Sequence, residues 1–353
     1  MKPPRWVRWI GPEVLVLAAL ALYPLADYCF GIDARLSQFL GKPLGSEMTN
    51  MFIFAVLALG LNVVVGYTGL LNLGIAAFFG IGAYTAAILT IESNPFQIGF
   101  VPSLIAATVV AGLAGLVLGA PTLRLRGDYL AIVTLGFGEV VRFSIRNLES
   151  ITGGTATLGP IPPPVADWGL GYKGFYLMCL GILIVVVVLL RNLENSRLGR
   201  AWMAIREDEL AAACMGINAA RAKMAAFAVA AALAGLAGCL YATKLSNTAD
   251  PDGAYSFSRS IIILCCIILG GLGSIRGALL GVFLLIGFEN ILSPFLDSKL
   301  QEYNFNPDNN RLLTFSNWKF MIFGLALILM MRFRPEGLLP SQRLKQELHT
   351  EGA

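Results

Sequence analysis

The chain has 353 residues, 56% hydrophobic and only 14% charged, with a formal net charge of +4. A soluble domain carries roughly 25% charged residues, so this composition excludes a water-facing globule and specifies a polytopic membrane protein surrounded by lipid. The small positive excess matches cytoplasmic loops of an inner-membrane protein and excludes a nucleic-acid partner.

From the N-terminus, Lys2, Arg5 and Arg8 precede an apolar run beginning at Val14. The sequence Pro24-Leu25-Ala26-Asp27-Tyr28 offers no small-x-small cleavage site, so the run reads as an uncleaved first span. Ten candidate spans follow along the chain, at 14–31, 49–66, 68–91, 101–119, 128–147, 174–190, 224–244, 260–273, 275–292 and 319–332. Backbone polar groups in hydrocarbon need internal partners, which leaves helices or a closed barrel. Phe175–Leu190 shows no period-2 alternation, so the expected fold is all-α: one transmembrane domain over 1–353 with about ten helices, some glycine-broken.

Two segments are interrupted by glycine. One is Gly66-Tyr67-Thr68-Gly69-Leu70-Leu71-Asn72-Leu73-Gly74, and the other is Gly270-Gly271-Leu272-Gly273-Ser274-Ile275-Arg276-Gly277. Glycine permits close helix approach or a helix break at membrane depth, and broken helices often line a substrate path. Their partial similarity hints at an internal repeat. Polar residues inside spans are costly and often functional. Asn62, Asn72, Thr134, Glu139, Arg142, Glu289 and Asn290 are the candidates, with Tyr67 and Tyr84 bordering a path or anchoring at the interface. Glu139 and Arg142 share a helix face and can pair. Glu289 and Asn290 sit near a span end, where the alternative to a functional role is simply facing interfacial water. The loop 148–173, rich in glycine and proline, reads as irregular but stiff.

The block 191–223 is the conspicuous polar segment, with six basic and four acidic residues and no proline. Arg206-Glu207-Asp208-Glu209 are consecutive and wrap most of a helix circumference, so they face water or a partner. Asp208 is a natural N-cap, Glu209 suits a first turn and Gly216 is a natural stop. The pattern predicts a short helix over Glu209–Met215, with a second around 200–205. Seven residues are too few for an isolated helix, so the first needs a dock. With 1–13, 120–127, 191–223, Arg276 and 333–353 placed in the cytoplasm, most of the 26 Lys and Arg residues fall inside, as the positive-inside bias requires.

Other chemistry finds no support. Gly41-Lys42 runs into Pro43 and lacks the glycine a P-loop needs. Gly271-Leu272-Gly273-Ser274-Ile275-Arg276 ends in Arg where a dinucleotide fingerprint has glycine. The six cysteines form no CxxC, and the single histidine, His349, lies in the tail. No cofactor or metal is called for.

The run from Gly119 to Glu139, GAPTLRLRGDYLAIVTLGFGE, resembles the signature of LivM-type permeases, the membrane subunits of branched-chain amino acid ABC importers. The resemblance continues through Leu198-Gly199-Arg200-Ala201-Trp202, Ile205-Arg206-Glu207-Asp208-Glu209 and Leu269-Gly270-Gly271-Leu272-Gly273-Ser274. It covers roughly residues 50–340 and implies a bacterial inner-membrane subunit without its own ATPase. The implied partners are a homologous second permease, two cytoplasmic ATP-binding subunits and a periplasmic amino-acid-binding protein. The block 191–223 then matches the cytoplasmic coupling loop, with Arg206, Glu207, Asp208, Glu209, Ala212 and Gly216 as coupling residues. Glu209, Ala211, Ala212 and Gly216 approximate the EAA-type motif, with one extra residue and no downstream proline. Asn62, Tyr67, Asn72, Tyr84, Thr134 and Glu139 become candidates for the substrate path. The rivals are the same machine carrying urea, short amides or other amino acids, an ion-coupled secondary transporter using carboxylates such as Glu139, and a membrane enzyme.

Overall fold

A computed structural model describes residues 20, 23, 24, 27, 33, 37, 42–91, 97–122, 127–162, 171–302, 314–334 and 336–339. Among them every regular element is helical. The helices are α1 (Leu44–Asn62), α2 (Ile75–Thr90), α3 (Phe100–Thr122), α4 (Asp128–Asn147), α5 (Gly171–Glu194), α6 (Arg197–Glu207), α7 (Glu209–Cys214), α8 (Ala219–Leu245), α9 (Phe257–Gly270), α10 (Ile275–Gly287), α11 (Ser293–Glu302) and α12 (Lys319–Phe333). Single turns at Glu149–Thr152 and Pro251–Ala254, and a 3-10 turn at Gly154–Ala156, fill the connections.

Six described stretches are long and apolar enough to cross a membrane: Leu44–Tyr67, Phe100–Ala120, Tyr172–Glu194, Ala219–Leu245, Pro251–Gly270 and Ile275–Leu300. This is fewer than the ten expected. Helices α2 and α12 form where expected but have only 16 and 15 residues. Helix α4 carries Asp128, Glu139, Arg142 and Arg146 and is too polar along its length. The run 14–31 lies outside the described residues.

The core is built on α1 and α8. From Met51 to Leu61 helix α1 is apolar on every face and buried, as a helix stretch without a polar side must be. Helix α8 is rich in alanine and glycine, and these small residues let its neighbours approach to backbone contact. A side chain at Gly115 of α3 would lie 2.5 Å from Ala231 Cβ and 2.8 Å from the Phe227 carbonyl. Gly82 of α2 lies directly against Gly235 in the same way. At its far end α8 is tied to the start of α1, where Lys244 Nζ donates to the Ser46 carbonyl at 2.6 Å.

The helix ends gather into two groups. In one, the tail after α12 returns to α9: the Leu338 and Leu339 N–H groups donate to the carbonyls of Leu269 and Gly270, at 3.0 and 2.8 Å. These are last-turn carbonyls that lack intrahelical donors. In the other, Ile161 N–H donates to the Ser246 carbonyl and Thr248 N–H to the Leu158 carbonyl, each at 2.8 Å. The segment 148–162 is therefore pinned to the end of α8.

Of the two readings of Glu289, the structure disfavours interfacial water. Its side chain is only 9% exposed and is bridged by Arg259 at 3.4 Å and Lys319 at 2.9 Å. A π turn at Phe288–Leu292 sits between α10 and α11, and the carboxylate faces α9 and α12 there, where two cations offset its burial.

Candidate functional site

The charged block forms two capped helices. Ser196 caps α6 by accepting from Gly199 N–H at 3.2 Å. Asp208 ends α6 and caps α7, its Oδ1 accepting from the Leu210 and Ala211 N–H groups at 2.8 and 3.1 Å. Gly216, at φ +84°, reverses the chain. Its N–H donates to Ala213 and that of Ile217 to Ala212, the paired closure of a left-handed helix stop. Asn218 then caps α8 through Arg221 N–H at 3.0 Å. The expected helix exists one residue shorter, and the second runs longer than expected, over Arg197–Glu207.

Two contacts fasten this knuckle to the first turn of α8. The fully buried Trp202 indole donates to the Ala222 carbonyl at 2.7 Å. Lys223, only 5% exposed at its side chain, pairs with Glu209 at 2.6 Å. The coupling candidates therefore divide: Ala212 is buried and Glu209 points back to α8, while Glu207 and Asp208 are exposed. The knuckle presents Leu210 and Met215 to the outside, 66% and 84% exposed, with Ala213 and Cys214 beside them. Sequence reading missed this apolar knob. The signal was the helical spacing of Leu210, Ala213 and Cys214 opposite the inward Ala212.

The glycine segments meet beneath the knuckle. After α1 the ladder widens into a π turn at Val63–Tyr67, a distortion frequent at functional sites, and 69–74 leave the helix. Buried Asn62 accepts the Gly273 N–H at 3.0 Å, bolting this break to the turn between α9 and α10. Buried Tyr67 reaches Glu194 at 3.5 Å.

On the other side of the break, Asn72 Oδ1 accepts Gly74 N–H at 2.9 Å, and the Asn72 Nδ2 is buried without a partner. Fully buried Thr134 accepts Leu73 N–H at 3.1 Å and donates to the Ala131 carbonyl. A tightly packed crevice without room for a water molecule lies here, lined by Leu73, Ala76, Glu139, Tyr255 and Ser260 among others. The Ser260 hydroxyl accepts Ala76 N–H at 3.1 Å. Tyr84 stands one ring behind, packed edge-on against Tyr255 at 5.8 Å.

Glu139 pairs with Arg142 as expected, at 2.6 Å. The sequence did not reveal that Arg142 and Arg146 both also reach Asp252, on the turn before α9. Of the six path candidates, only Glu139 lines the crevice; Asn72 and Thr134 lie beside it next to the lining residues Leu73 and Leu135, Tyr84 packs behind Tyr255, and Asn62 and Tyr67 sit at the glycine junction.

A bundle of long apolar helices with a buried broken helix and a polar knuckle at one end is the architecture of a multi-pass membrane protein. Comparison with known proteins gives the particular family. Residues 46–331 match the family model described as branched-chain amino acid transport system / permease component, and the chain belongs to that family. It is 36% identical to the high-affinity branched-chain amino acid transport system permease protein LivM of Escherichia coli K12, over 86% of this chain and 72% of the relative. It is 24% identical to LivH of the same organism, over 75% and 88%. Identity to the ribose import permease protein RbsC of Haemophilus influenzae is 27%, over 69% and 74%. No solved structure matches the chain.

Proposed function

We propose that this chain is a permease subunit of an ABC importer for branched-chain amino acids. It supplies part of the translocation path and hydrolyses no ATP itself. The observation that carries the reading is the knuckle: a six-residue helix, capped at both ends and riveted to α8, with Leu210 and Met215 held out to solvent. A helix of that length is stable only when docked, and exposed apolar residues on a rigid mount form the apolar centre of a protein interface.

In this reading the knuckle docks in a cytoplasmic ATP-binding subunit, two of which serve the complex. The likeness to both LivM and LivH supports pairing with a homologous second permease. A periplasmic binding protein delivers the amino acid to the opposite end, near the pinned segment 148–162. Both termini then lie in the cytoplasm. The clustering of the tail, the glycine junction and the knuckle at one end supports this, as does the Lys/Arg bias. ATP-driven closure moves the knuckle, and the helices rock between outward- and inward-facing states. Asn72, Thr134, Glu139 and Tyr84 border the path, which receives cargo and must release it.

The test is co-purification. L210D and M215D place a charge on the knob without touching the core, and are expected to lose the ATP-binding subunits at unchanged thermal stability. Retention at wild-type levels, or ATP hydrolysis by the purified chain alone, would sink the proposal. A thermal-shift screen of the cognate binding protein against leucine, isoleucine, valine, urea and short amides identifies the cargo.

A further inference from the structure

Arg206 is the last basic residue of α6, and it leaves the knuckle to enter the glycine junction. Its Nη1 donates to the Gly66 carbonyl at 2.6 Å. That carbonyl lies in the π turn at the end of α1, where last-turn carbonyls need outside donors and a cation is favoured. A side chain at Gly69 would lie 3.1 Å from Arg206 Cγ, and one at Gly273 would lie 3.4 Å from Nη1. Both glycines also hold left-handed backbone, at φ +70° and +75°. A β-carbon at either would therefore be strained and would crowd the arginine. Gly273 is in turn bonded to Asn62. One side chain from this block thus bonds to one helix break and lies beside the other, while Trp202 and Glu209 fix the rest of the block to α8.

We infer that Arg206 is the positioning residue that carries movement of the knuckle to the glycine junction, so that displacing α6 and α7 shifts the π turn 63–67 against the turn 271–274. The inference rests on the permease reading above and adds to it a specific mechanical contact. Docking acts through Leu210 and Met215 on the outside of the knuckle, whereas transmission acts through Arg206 on its inner side, and the two are separable by mutation. A guanidinium suits the task because its planar fork presents several donors in fixed geometry.

The test uses the full chain reconstituted in proteoliposomes with its partner permease, ATP-binding subunits and binding protein, following radiolabelled leucine uptake and ATP hydrolysis together. R206A is expected to retain the ATP-binding subunits and to hydrolyse ATP, while leucine moved per ATP falls about tenfold, the range of a typical coupling energy. R206K keeps the charge and nearly the full reach toward Gly66 but lacks the fork, and is expected to fall between R206A and wild type. A wild-type ratio of leucine to ATP in either variant overturns the proposal. Loss of assembly in both variants also overturns it, since Arg206 would then be an ordinary packing contact. If wild type itself shows no ATP-dependent uptake, the permease reading falls and takes this proposal with it, an outcome distinguished by appearing without any mutation.

Discussion

Asn62 and Lys223 show what single polar side chains do in this apolar bundle. Asn62 is the acceptor for Gly273 N–H, and both groups are buried. N62A leaves that N–H unsatisfied and is expected to destabilise the protein by about 1–3 kcal/mol, read as a lower thermal midpoint in detergent. The Lys223–Glu209 pair is asymmetric, the lysine being 5% exposed and the carboxylate 30%. Removing one partner of a buried pair costs more than the pair is worth, because the survivor is left uncompensated. E209A, which strands the buried ammonium, is therefore expected to lower the thermal midpoint more than K223M, which leaves a carboxylate that can reach water. Equal effects would count against this account. At this scale the sequence marked Asn62 and Glu209 as notable but not what they touch, because their partners lie 211 and 14 residues away in the chain.

The knuckle and the Glu289 tie are features of whole elements. Gly216 has open space where a side chain would go, so its constraint is conformational: φ is +84°. A β-branched residue strongly resists that region, and G216V is expected to cost about 1–2 kcal/mol confined to the end of α7. The bundle should fold, while ATP hydrolysis and uptake become uncoupled. Normal uptake by G216V would count against a coupling role for this helix. Glu289 holds Arg259 of α9 and Lys319 of α12 beside the π turn that follows α10. E289A is expected to lower the thermal midpoint further than E207A, which removes a carboxylate already exposed to water. Helix existence was legible in the sequence because apolar runs and cap residues are local signals. Crossing ability was less so, since α2 is shorter than its apolar run, α12 has only 15 residues, and α4 is interrupted by charges that pair with a distant turn.

For the molecule as a whole, the energy source decides between the readings. Uptake by an ABC importer is expected to survive an uncoupler while ATP persists and to stop on ATP depletion. The reverse pattern would favour an ion-coupled transporter built around Glu139. That rival is weakened by geometry, because Glu139 is paired to Arg142 at 2.6 Å rather than free to cycle a proton or a cation. The two ends of the bundle differ in what they gather. One holds the knuckle, the glycine junction and the tail segment 336–339, and the other pins 148–162 to the end of α8. The buried core of α1 and α8 lies between them.

Composition, apolar runs and cap residues by themselves determined that this is a helical membrane protein with a capped polar knuckle, and its motifs pointed to the permease family. Each of these is a local property: burial cost scales with apolar content, and a cap needs only its own next few residues. The tertiary structure alone decided that the two glycine segments meet, that Ala212 and Glu209 face inward while Leu210 and Met215 face out, and that Arg206 enters the junction. Those facts depend on groups far apart in the chain being driven together because buried backbone N–H and C=O groups must find partners. No pattern within a short window records which distant residue supplies them.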